Sequence, residues 1–209
     1  AEAFANRGMI YIDLYELETA LTELNEAITL NPDYAWAHYL RGLNHNQVWA
    51  QDKDKAIEDF HKAVEIAPNA VWIELIADEY TWWGKLEYRK GNLEEALDYF
   101  SYAIQIDPQN SQAYFQRSLA LYDSGDAAGE EEDLNEYIIL SVDNWAYSQS
   151  ANARVQWGDL EGALSDLTTA LSVDPENYMY LERAKLFYDL DRLDEANDDL
   201  TKYIDLGQN

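Results

Sequence analysis

The chain has 209 residues, of which 47% are hydrophobic and 26% charged, so it is long and apolar enough to bury a core instead of staying disordered. Forty-one Asp and Glu stand against 14 Lys and Arg, which gives a formal net charge of −27. Because this charge repels phosphate backbones and anionic lipid headgroups, we expect no binding to nucleic acid or to a membrane surface.

The sequence contains no cysteine, which excludes disulfides, thiolate metal sites and cysteine nucleophiles. It has no apolar run long enough to span a bilayer, so we expect no membrane insertion. Its first residues, AEAFANRG, lack the basic and apolar regions of a signal peptide. They also lack an initiator Met, which indicates a trimmed or processed chain. We therefore expect a soluble chain and assign it no compartment.

Two kinds of segment alternate from the first residues onward. The first kind, NRGMIYIDLY, returns as LRGLNHNQVW, WWGKLEYRKG, QRSLALYDSG and ERAKLFYDLD, with small and bulky residues at helical spacing. The second kind, ALTELNEAITLNP, returns as AIEDFHKAVEIAP, ALDYFSYAIQIDP and ALSDLTTALSVDP, each with two alanines seven residues apart. These segments close at Pro32, Pro68, Pro108 and Pro175, where a helix would stop. The pattern predicts pairs of helices that recur about every 34 residues.

This pattern resembles the tetratricopeptide repeat (TPR) family, whose unit is a helix–turn–helix pair. The resemblance covers the whole chain and implies an all-α fold, a right-handed α-solenoid that forms a single array over residues 1–209. The six repeats are 1–34, 35–70, 71–110, 111–143, 144–177 and 178–209. One pair cannot bury its apolar face alone, so stacked pairs should share a continuous core.

The same pattern predicts the contacts inside each pair. Small residues such as Gly8, Ala20 and Ala27 should let the two helix backbones approach each other. A larger side chain of the second helix should fill the remaining gap in each pair. These filling residues are Leu24, Phe60, Phe100, Leu134, Leu167 and Leu200.

Three repeats depart from the pattern. The second has two extra residues between Trp49 and Lys55. The third has six extra residues and no Pro or Gly before Gly84, which predicts one long helix from about Ala70 to Lys90. Its added apolar residues are expected either to pad the junction with the second repeat or to form a contact ridge. These residues are Val71, Trp72, Ile73 and Ile76.

The fourth repeat has Glu130 where the others have a close-packing alanine, and Val142 where they have proline. From Ser118 in this repeat to Ala153 in the fifth, the chain contains eight acidic residues and no Lys or Arg. This stretch is expected either to be a solvated acidic face or to be a docking surface for a basic partner.

We predict no catalytic residue, no metal and no cofactor. His38 and His45 fall at interior positions of the second pair, and no third ligand accompanies them. His61 is expected to be exposed. The sequence offers neither a Ser–His–Asp arrangement nor a phosphate-binding glycine loop, so the chain is not expected to be an enzyme.

In TPR proteins, ligands usually lie in a concave groove lined by the first helix of each pair. The resemblance assigns this role to aromatic, amide and a few basic side chains, which can anchor a peptide and bond its extended backbone. These residues are Trp36, Tyr39, Asn46, Trp82, Lys85, Tyr88, Arg89, Phe115, Gln116, Tyr122, Trp145, Gln149 and Asn152.

The resemblance thus implies a non-catalytic protein–protein interaction scaffold that binds a peptide or an extended protein segment. The net charge favours a neutral or basic partner. The family's Lys and Asn clamp for acidic chaperone tails is not expected, because Ala5, Met9, Leu40, Asp78 and Trp82 stand at its positions. The alternative is a module that self-assembles as a dimer or end to end. Carbohydrate binding rests only on the content of Trp and Tyr.

Overall fold

The computed structural model describes residues 1–47, 52–141 and 143–207, which form twelve α-helices and no strand. The helices are α1 (Glu2–Asp13), α2 (Leu17–Leu30), α3 (Ala35–Gln47), α4 (Lys53–Ile66), α5 (Ile73–Lys90), α6 (Leu93–Ile106), α7 (Ser111–Ser124), α8 (Ala127–Ser141), α9 (Asn144–Trp157), α10 (Leu160–Val173), α11 (Asn177–Asp189) and α12 (Leu193–Leu206). The all-α fold of helix–turn–helix pairs that the sequence predicts is confirmed. None of these helices is long and apolar enough to cross a bilayer.

The chain divides into two compact units. Unit 1 comprises Ala1–Glu79 and Gln105–Asp107, and unit 2 comprises Tyr80–Ile104 and Pro108–Asn209. In unit 1, α1 packs on α2, α2 on α3 and α3 on α4. In unit 2, each helix from α7 to α12 packs on the next one along the chain.

The predicted close approach of helix backbones is present. The paired alanines of the second helices are fully buried: Ala20, Ala27, Ala56, Ala63, Ala96, Ala103, Ala163 and Ala170. A Cβ atom added to Gly8 would lie 2.7 Å from the side chain of Leu24, and one added to Gly84 would lie 2.4 Å from the ring of Phe100. Glycine is needed at these two positions because the filling side chain occupies the space of a Cβ.

Leu200 does not fill a gap as predicted, because its side chain is 38% exposed. The other five filling residues are buried. The cause is local: the structure describes no helix packed on the outer face of α12, which is the face that carries Leu200. Its neighbour Asp199 is the buried residue, at 2% exposure.

The turn between the two helices of a pair has a left-handed residue at one recurring place. Gly91, Gly125 and Gly158 occupy it with φ of 83°, 86° and 81°. Tyr15 and Asp191 occupy the same place with φ of 58° and 59°. Glycine accepts this conformation without cost, whereas a side chain with a Cβ is strained.

The long helix of the third repeat begins at Ile73, three residues later than predicted. A turn precedes it, in which the backbone N–H of Ile73 donates to the carbonyl of Ala70. The ring of Trp72 stacks on Tyr39 of α3 at 5.2 Å, and Ile76 is fully buried, as expected for residues that pad a junction. Val71 is 92% exposed.

The predicted burial of His38 and His45 and the predicted exposure of His61 are confirmed. His38 and His45 are each 7% exposed, whereas His61 is exposed. The Nδ1 of His38 lies 3.2 Å from Asp59, and its Nε2 donates to the carbonyl of Pro32 at 2.9 Å. Val142 and part of the insertion near Trp49 lie outside the described residues.

Candidate functional site

The large exposed aromatic side chains are concentrated on the first helices of the pairs in unit 2. Trp82 of α5 is 55% exposed and Trp145 of α9 is 59% exposed. Tyr122 of α7, and Tyr178 and Tyr188 of α11, are exposed as well. Among the residues that the structure describes, one further aromatic side chain is exposed, that of Tyr15 in the turn after α1.

Direct contacts show that these first helices lie side by side. The contacts join α5 to α7, α7 to α9 and α9 to α11, at or beside the positions assigned to the groove. They are the hydrogen bond from Tyr88 Oη to Asp123 Oδ2 at 2.7 Å, the stacked rings of Tyr122 and Trp157 at 5.1 Å, and the Ser148–Tyr178 hydroxyl pair at 3.4 Å. Neighbouring first helices in unit 2 therefore form one surface, which we call the first-helix surface.

The hydroxyl of Tyr88 is a stable part of this surface. Burial, and then its bond to Asp123, raise the pKa of Tyr88 to about 12. The hydroxyl therefore remains protonated at neutral pH and donates its hydrogen to Asp123. The bond holds α5 against α7.

Two cations on α5 stand out in a chain with so many carboxylates. Lys85 and Arg89 lie one helical turn apart and make no ion pair among the described residues, although most Lys and Arg do. Arg89 is exposed and Lys85 is half-buried. Trp82 lies one turn before Lys85, so the pair of cations borders the most exposed ring of α5.

The structure separates the thirteen assigned residues into two groups. Trp36, Tyr39 and Asn46 belong to unit 1, and the other ten belong to unit 2. Among the ten, Arg89 and Asn152 are exposed like Trp82 and Trp145, and Gln116 and Gln149 are half-buried.

Besides Tyr88 and Tyr122, other assigned side chains make contacts within the protein. Tyr39 is only 3% exposed, so its ring is not available to contact a ligand. Phe115 packs on Tyr137 of α8 with ring centroids 4.8 Å apart. Asn46 donates from Nδ2 to Glu79 Oε2 at 2.5 Å, and burial raises the pKa of that glutamate.

A recurring arginine was not predicted from the sequence. Arg41 of α3 donates from Nε and Nη2 to Asp59 of α4, at 2.8 and 2.7 Å, and from Nη1 to Asn25 of α2 at 2.8 Å. One side chain thus ties the two helices of its own pair to the second helix of the preceding pair. We call this arrangement the arginine bridge.

The arginine bridge occurs twice more, in unit 2. Arg117 reaches Asp133 at 2.7 Å and Ser101 at 3.1 Å, and Arg183 reaches Asp199 at 2.6 Å and Thr168 at 3.2 Å. The signal in the sequence is an arginine at one repeat position with an aspartate 16 residues later, or 18 in the lengthened second repeat. The buried aspartates Asp59, Asp133 and Asp199 are 3%, 3% and 2% exposed.

Comparison with known proteins identifies the family. The family model described as "TPR repeat" matches residues 8–47 and 84–125, and the one described as "Tetratricopeptide repeat" matches residues 149–209. Together these matches cover more than half of the chain, which belongs to the tetratricopeptide repeat family. It is an all-α helix–turn–helix solenoid.

Several individual proteins are similar to this chain. The rat protein "Mitochondrial import receptor subunit TOM70" is 32% identical over 106 residues, which are 51% of this chain and only 16% of that protein. The solved structure of MamA has a TM-score of 0.58 at 17% identity, covering 86% of this chain and 94% of that one. The structure of YrrB, described as "a TPR protein with an unusual peptide-binding site", has a TM-score of 0.54 at 20% identity, covering 87% and 90%. The two structures share the fold with this chain.

Tetratricopeptide repeat proteins are in general non-catalytic scaffolds for protein–protein interaction, and the chain has the fold of such a scaffold.

Proposed function

We propose that the chain is a non-catalytic scaffold that binds a peptide or an extended protein segment on its first-helix surface. The observation that carries this proposal is the concentration of exposed rings there. Trp82, Tyr122, Trp145, Tyr178 and Tyr188 lie on four helices, and direct contacts hold neighbouring ones side by side. The second helices α6, α8 and α10 expose only Ile139 and Val173 as large apolar residues among those described.

The chemistry of this surface suits an extended polypeptide. Exposed Trp and Tyr rings give large contact areas at low cost in conformational entropy, and such residues dominate binding energies at protein interfaces. Gln116, Gln149 and Asn152 stand on the same helices as these rings. Their amides both donate and accept, so they can bond the N–H and C=O groups of a backbone that is not itself in a sheet or helix.

The charge of the chain narrows the class of partner. At long range, a net charge of −27 attracts a basic segment, repels an acidic one and leaves a neutral one unaffected. Lys85 and Arg89 act at short range, where they can hold a single carboxylate of an otherwise neutral or basic segment. We therefore propose a partner that places one carboxylate beside the ring of Trp82.

A displayed library of random peptides tests the proposal without knowledge of the natural partner. We expect selection on the 209-residue chain to enrich peptides of neutral or positive net charge. The double substitution Trp82→Ala and Trp145→Ala should weaken their binding by more than about tenfold, because each truncated ring is an interface anchor. Circular dichroism should show unchanged helicity, since both rings are more than half exposed.

The matched control is Ile139→Ala, which truncates an equally exposed apolar side chain on the second helix α8. It should leave binding unchanged. Peptides that bind the double variant as well as the wild type, or that lose binding on Ile139→Ala, would place the site elsewhere.

The proposed contact between a carboxylate of the partner and the two cations of α5 is tested by the charge reversals Lys85→Glu and Arg89→Glu. These should abolish binding of peptides with a fixed carboxylate and spare those without one. Lys62→Glu is the control, because Lys62 lies on the second helix α4 and pairs with Glu65. Equal losses for both kinds of peptide would remove the carboxylate from the proposal.

A further inference from the structure

A row of apolar side chains crosses the first-helix surface, with one member on each of its four helices. Each member stands four residues after the small residue of its helix, which is Gly84, Ser118, Ala151 or Ala184. The members are Tyr88 of α5, Tyr122 of α7, Val155 of α9 and Tyr188 of α11. Tyr122 and Val155 are 37% and 42% exposed, and Tyr88 is half-buried. We call these four residues the apolar row.

Contacts between neighbouring helices fix the spacing within the apolar row. Tyr88 donates to Asp123 of α7, and the ring of Tyr122 stacks on Trp157 of α9. Helices that pack side by side have their axes about 8–10 Å apart. Because the members stand at the same repeat position, successive members are offset by about that distance.

The polyproline II helix is the extended conformation that matches this spacing. It has three residues per turn and rises about 3.1 Å per residue, so side chains on one side of it recur about every 9 Å. In a β-strand the side chains on one side recur about every 6.7 Å, which falls out of step with the row within two helices. Residues three apart in a strand are about 10 Å apart but point to opposite sides.

The polar groups beside the row also suit a polyproline II segment. Asn152 and Gln156 of α9 are exposed and flank Val155 in the sequence. Their amides can donate to the carbonyls of a polyproline II backbone, which makes no internal hydrogen bonds. An α-helix presents residues seven apart at about 10.5 Å, but its carbonyls are already bonded within the helix. Aromatic side chains such as Tyr122 pack well against proline rings.

The charges along the row complement a basic segment. Asp123 and Asp189 directly follow Tyr122 and Tyr188, and both carboxylates are exposed. The stretch from Ser118 to Ala153, which includes most of α7 and α9, contains no Lys or Arg. A cation of the partner beside a residue that contacts the row therefore meets a carboxylate and no competing cation there.

We propose that the partner is a proline-rich, basic segment in the polyproline II conformation. It places a proline at every third residue against the apolar row, and a Lys or Arg beside one of these prolines faces Asp123. Four members of the row correspond to a segment of about ten residues. This inference rests on the proposed function, because it specifies which segment the first-helix surface binds.

Two synthetic peptides of identical composition test the proposed spacing. Each contains four Pro, four Ala and four Lys. In the periodic probe proline stands at every third residue, and in the scrambled probe no two prolines are three residues apart. Since the two probes have the same net charge, the long-range attraction to the chain is equal for both. Fluorescence anisotropy should show that the periodic probe binds more than about tenfold tighter.

Variants of the chain test whether the periodic probe contacts the apolar row. Val155→Lys should weaken its binding by more than about tenfold, because a cation then stands in the row opposite a basic segment. The control Ile139→Lys makes the same change of charge at an exposed position of α8 and should have little effect. Tyr122→Ala should weaken binding similarly, whereas Tyr122→Phe keeps the ring and should not. Circular dichroism should show the same helicity for all of these variants.

A second pair of variants tests the charge beside the row. Asp123→Asn should weaken the periodic probe by about threefold or more, and it keeps an oxygen that can accept from Tyr88. Glu131→Gln removes the same charge at an exposed position of α8 and should not weaken binding. Equal effects of the two variants would remove the contact at Asp123 from the proposal.

The failure of this inference can be told apart from the failure of the proposed function. Equal affinities of the two probes, both lost on Trp82→Ala with Trp145→Ala, would overturn the polyproline II segment and leave the first-helix surface as the site. Equal effects of Val155→Lys and Ile139→Lys would also overturn it, as would binding of a helical peptide with apolar residues seven apart in place of the periodic probe. A chain that binds neither probe and no library peptide would refute the proposed function as well.

Discussion

Glu130 stands where the other repeats place a close-packing alanine, and it is poorly accommodated there. Its Oε2 atom is buried and has no hydrogen-bond partner. Burial is the first cause that raises the pKa of this carboxyl, and the neighbouring charges of Glu131, Asp126 and Asp159 raise it further, against the lowering effect of Arg154. The ionised carboxylate is therefore less stable in the folded chain than in water.

We predict that Glu130→Ala stabilises the chain at neutral pH by about 1 kcal/mol, because a buried acceptor without a partner is removed. A carboxyl whose pKa is raised by folding binds more protons in the folded state, so its penalty grows as the pH rises above the ordinary glutamate value. The gain from Glu130→Ala should thus be large at pH 7 and small near pH 4. Urea unfolding at the two pH values measures it.

The control for this prediction is Glu131→Ala, at an exposed position one residue away. It should change the stability by no more than about 0.5 kcal/mol at either pH. If Glu130→Ala destabilises the chain at pH 7, the carboxylate has a stabilising role that its environment does not reveal.

Tyr15 is the second residue that its position in the fold accommodates poorly. It is 80% exposed, so its ring contributes little packing, yet it adopts a positive φ that strains any residue with a Cβ. We predict that Tyr15→Gly raises the free energy of unfolding by about 0.5–1 kcal/mol, which is the relief of this strain less the entropy that glycine gains in the unfolded chain. Thermal unfolding measures the change.

The reverse substitution is available in the same turn of another pair. A Cβ on Gly125 would meet no atom within 4 Å, so Gly125→Ala changes only the backbone strain and should destabilise by about 1 kcal/mol. Asp191→Gly should give a smaller gain than Tyr15→Gly, because aspartate tolerates the left-handed region better. Gains in the opposite order would show that the ring of Tyr15 has a packing role.

At the scale of helices, the two helices of a pair are linked either by the arginine bridge or by an aromatic pair. Between α7 and α8 the link is Arg117 to the buried Asp133. At the equivalent positions of α5 and α6, Trp83 and Tyr99 lie with ring centroids 5.9 Å apart. A charged link between the two helices of a pair is thus replaced elsewhere by an apolar one.

We predict that the two links can be exchanged. Arg117→Trp alone leaves the carboxylate of Asp133 buried without its cation and should cost about 3 kcal/mol. Adding Asp133→Tyr should recover most of that loss, because it recreates the aromatic pair of α5 and α6. A double-mutant cycle by urea denaturation measures the coupling, which should favour the double variant by about 2 kcal/mol. Additive losses would show that the surroundings of α7 and α8 do not accept the rings.

Across the whole molecule, the fold followed from the sequence because each repeat carries the same information. A small residue facing a large one, as with Gly84 and Phe100, fixes the contact of two helices wherever it recurs. The start of α5 at Ile73 was harder to predict, since no Pro or Gly marks the boundary between Ala70 and the helix.

The candidate site was only partly predictable. Repeat position identified the exposed Trp82 and Trp145, but it also assigned Tyr39, whose ring is buried against Trp72 of a segment that is peculiar to the third repeat. The added segment buries Tyr39 without changing its position in the repeat. Repeat position alone therefore could not distinguish the buried Tyr39 from the exposed Trp82 and Trp145. The arginine bridge was missed because its partners lie on three helices and 15 to 18 residues apart, beyond any local pattern.

The net charge of −27 leads to a prediction about the molecule as a whole. Repulsion among exposed carboxylates opposes the folded state, and salt shortens its range from about 10 Å at 0.1 M to about 3 Å at 1 M. Exposed ion pairs such as Lys62–Glu65 lose little when screened, because each contributes no more than about 1 kcal/mol. The buried bridge at Asp59 is screened less. We therefore expect added sodium chloride to raise the melting temperature.

The same titration should act in the opposite direction on the proposed peptide. Salt should weaken the binding of a basic peptide, because the attraction of opposite charges is screened. Thermal unfolding and peptide binding over one series of salt concentrations measure the two effects. A melting temperature that falls with salt would mean that ion pairs outweigh the repulsion, and the long-range charge argument for a basic partner would then fail.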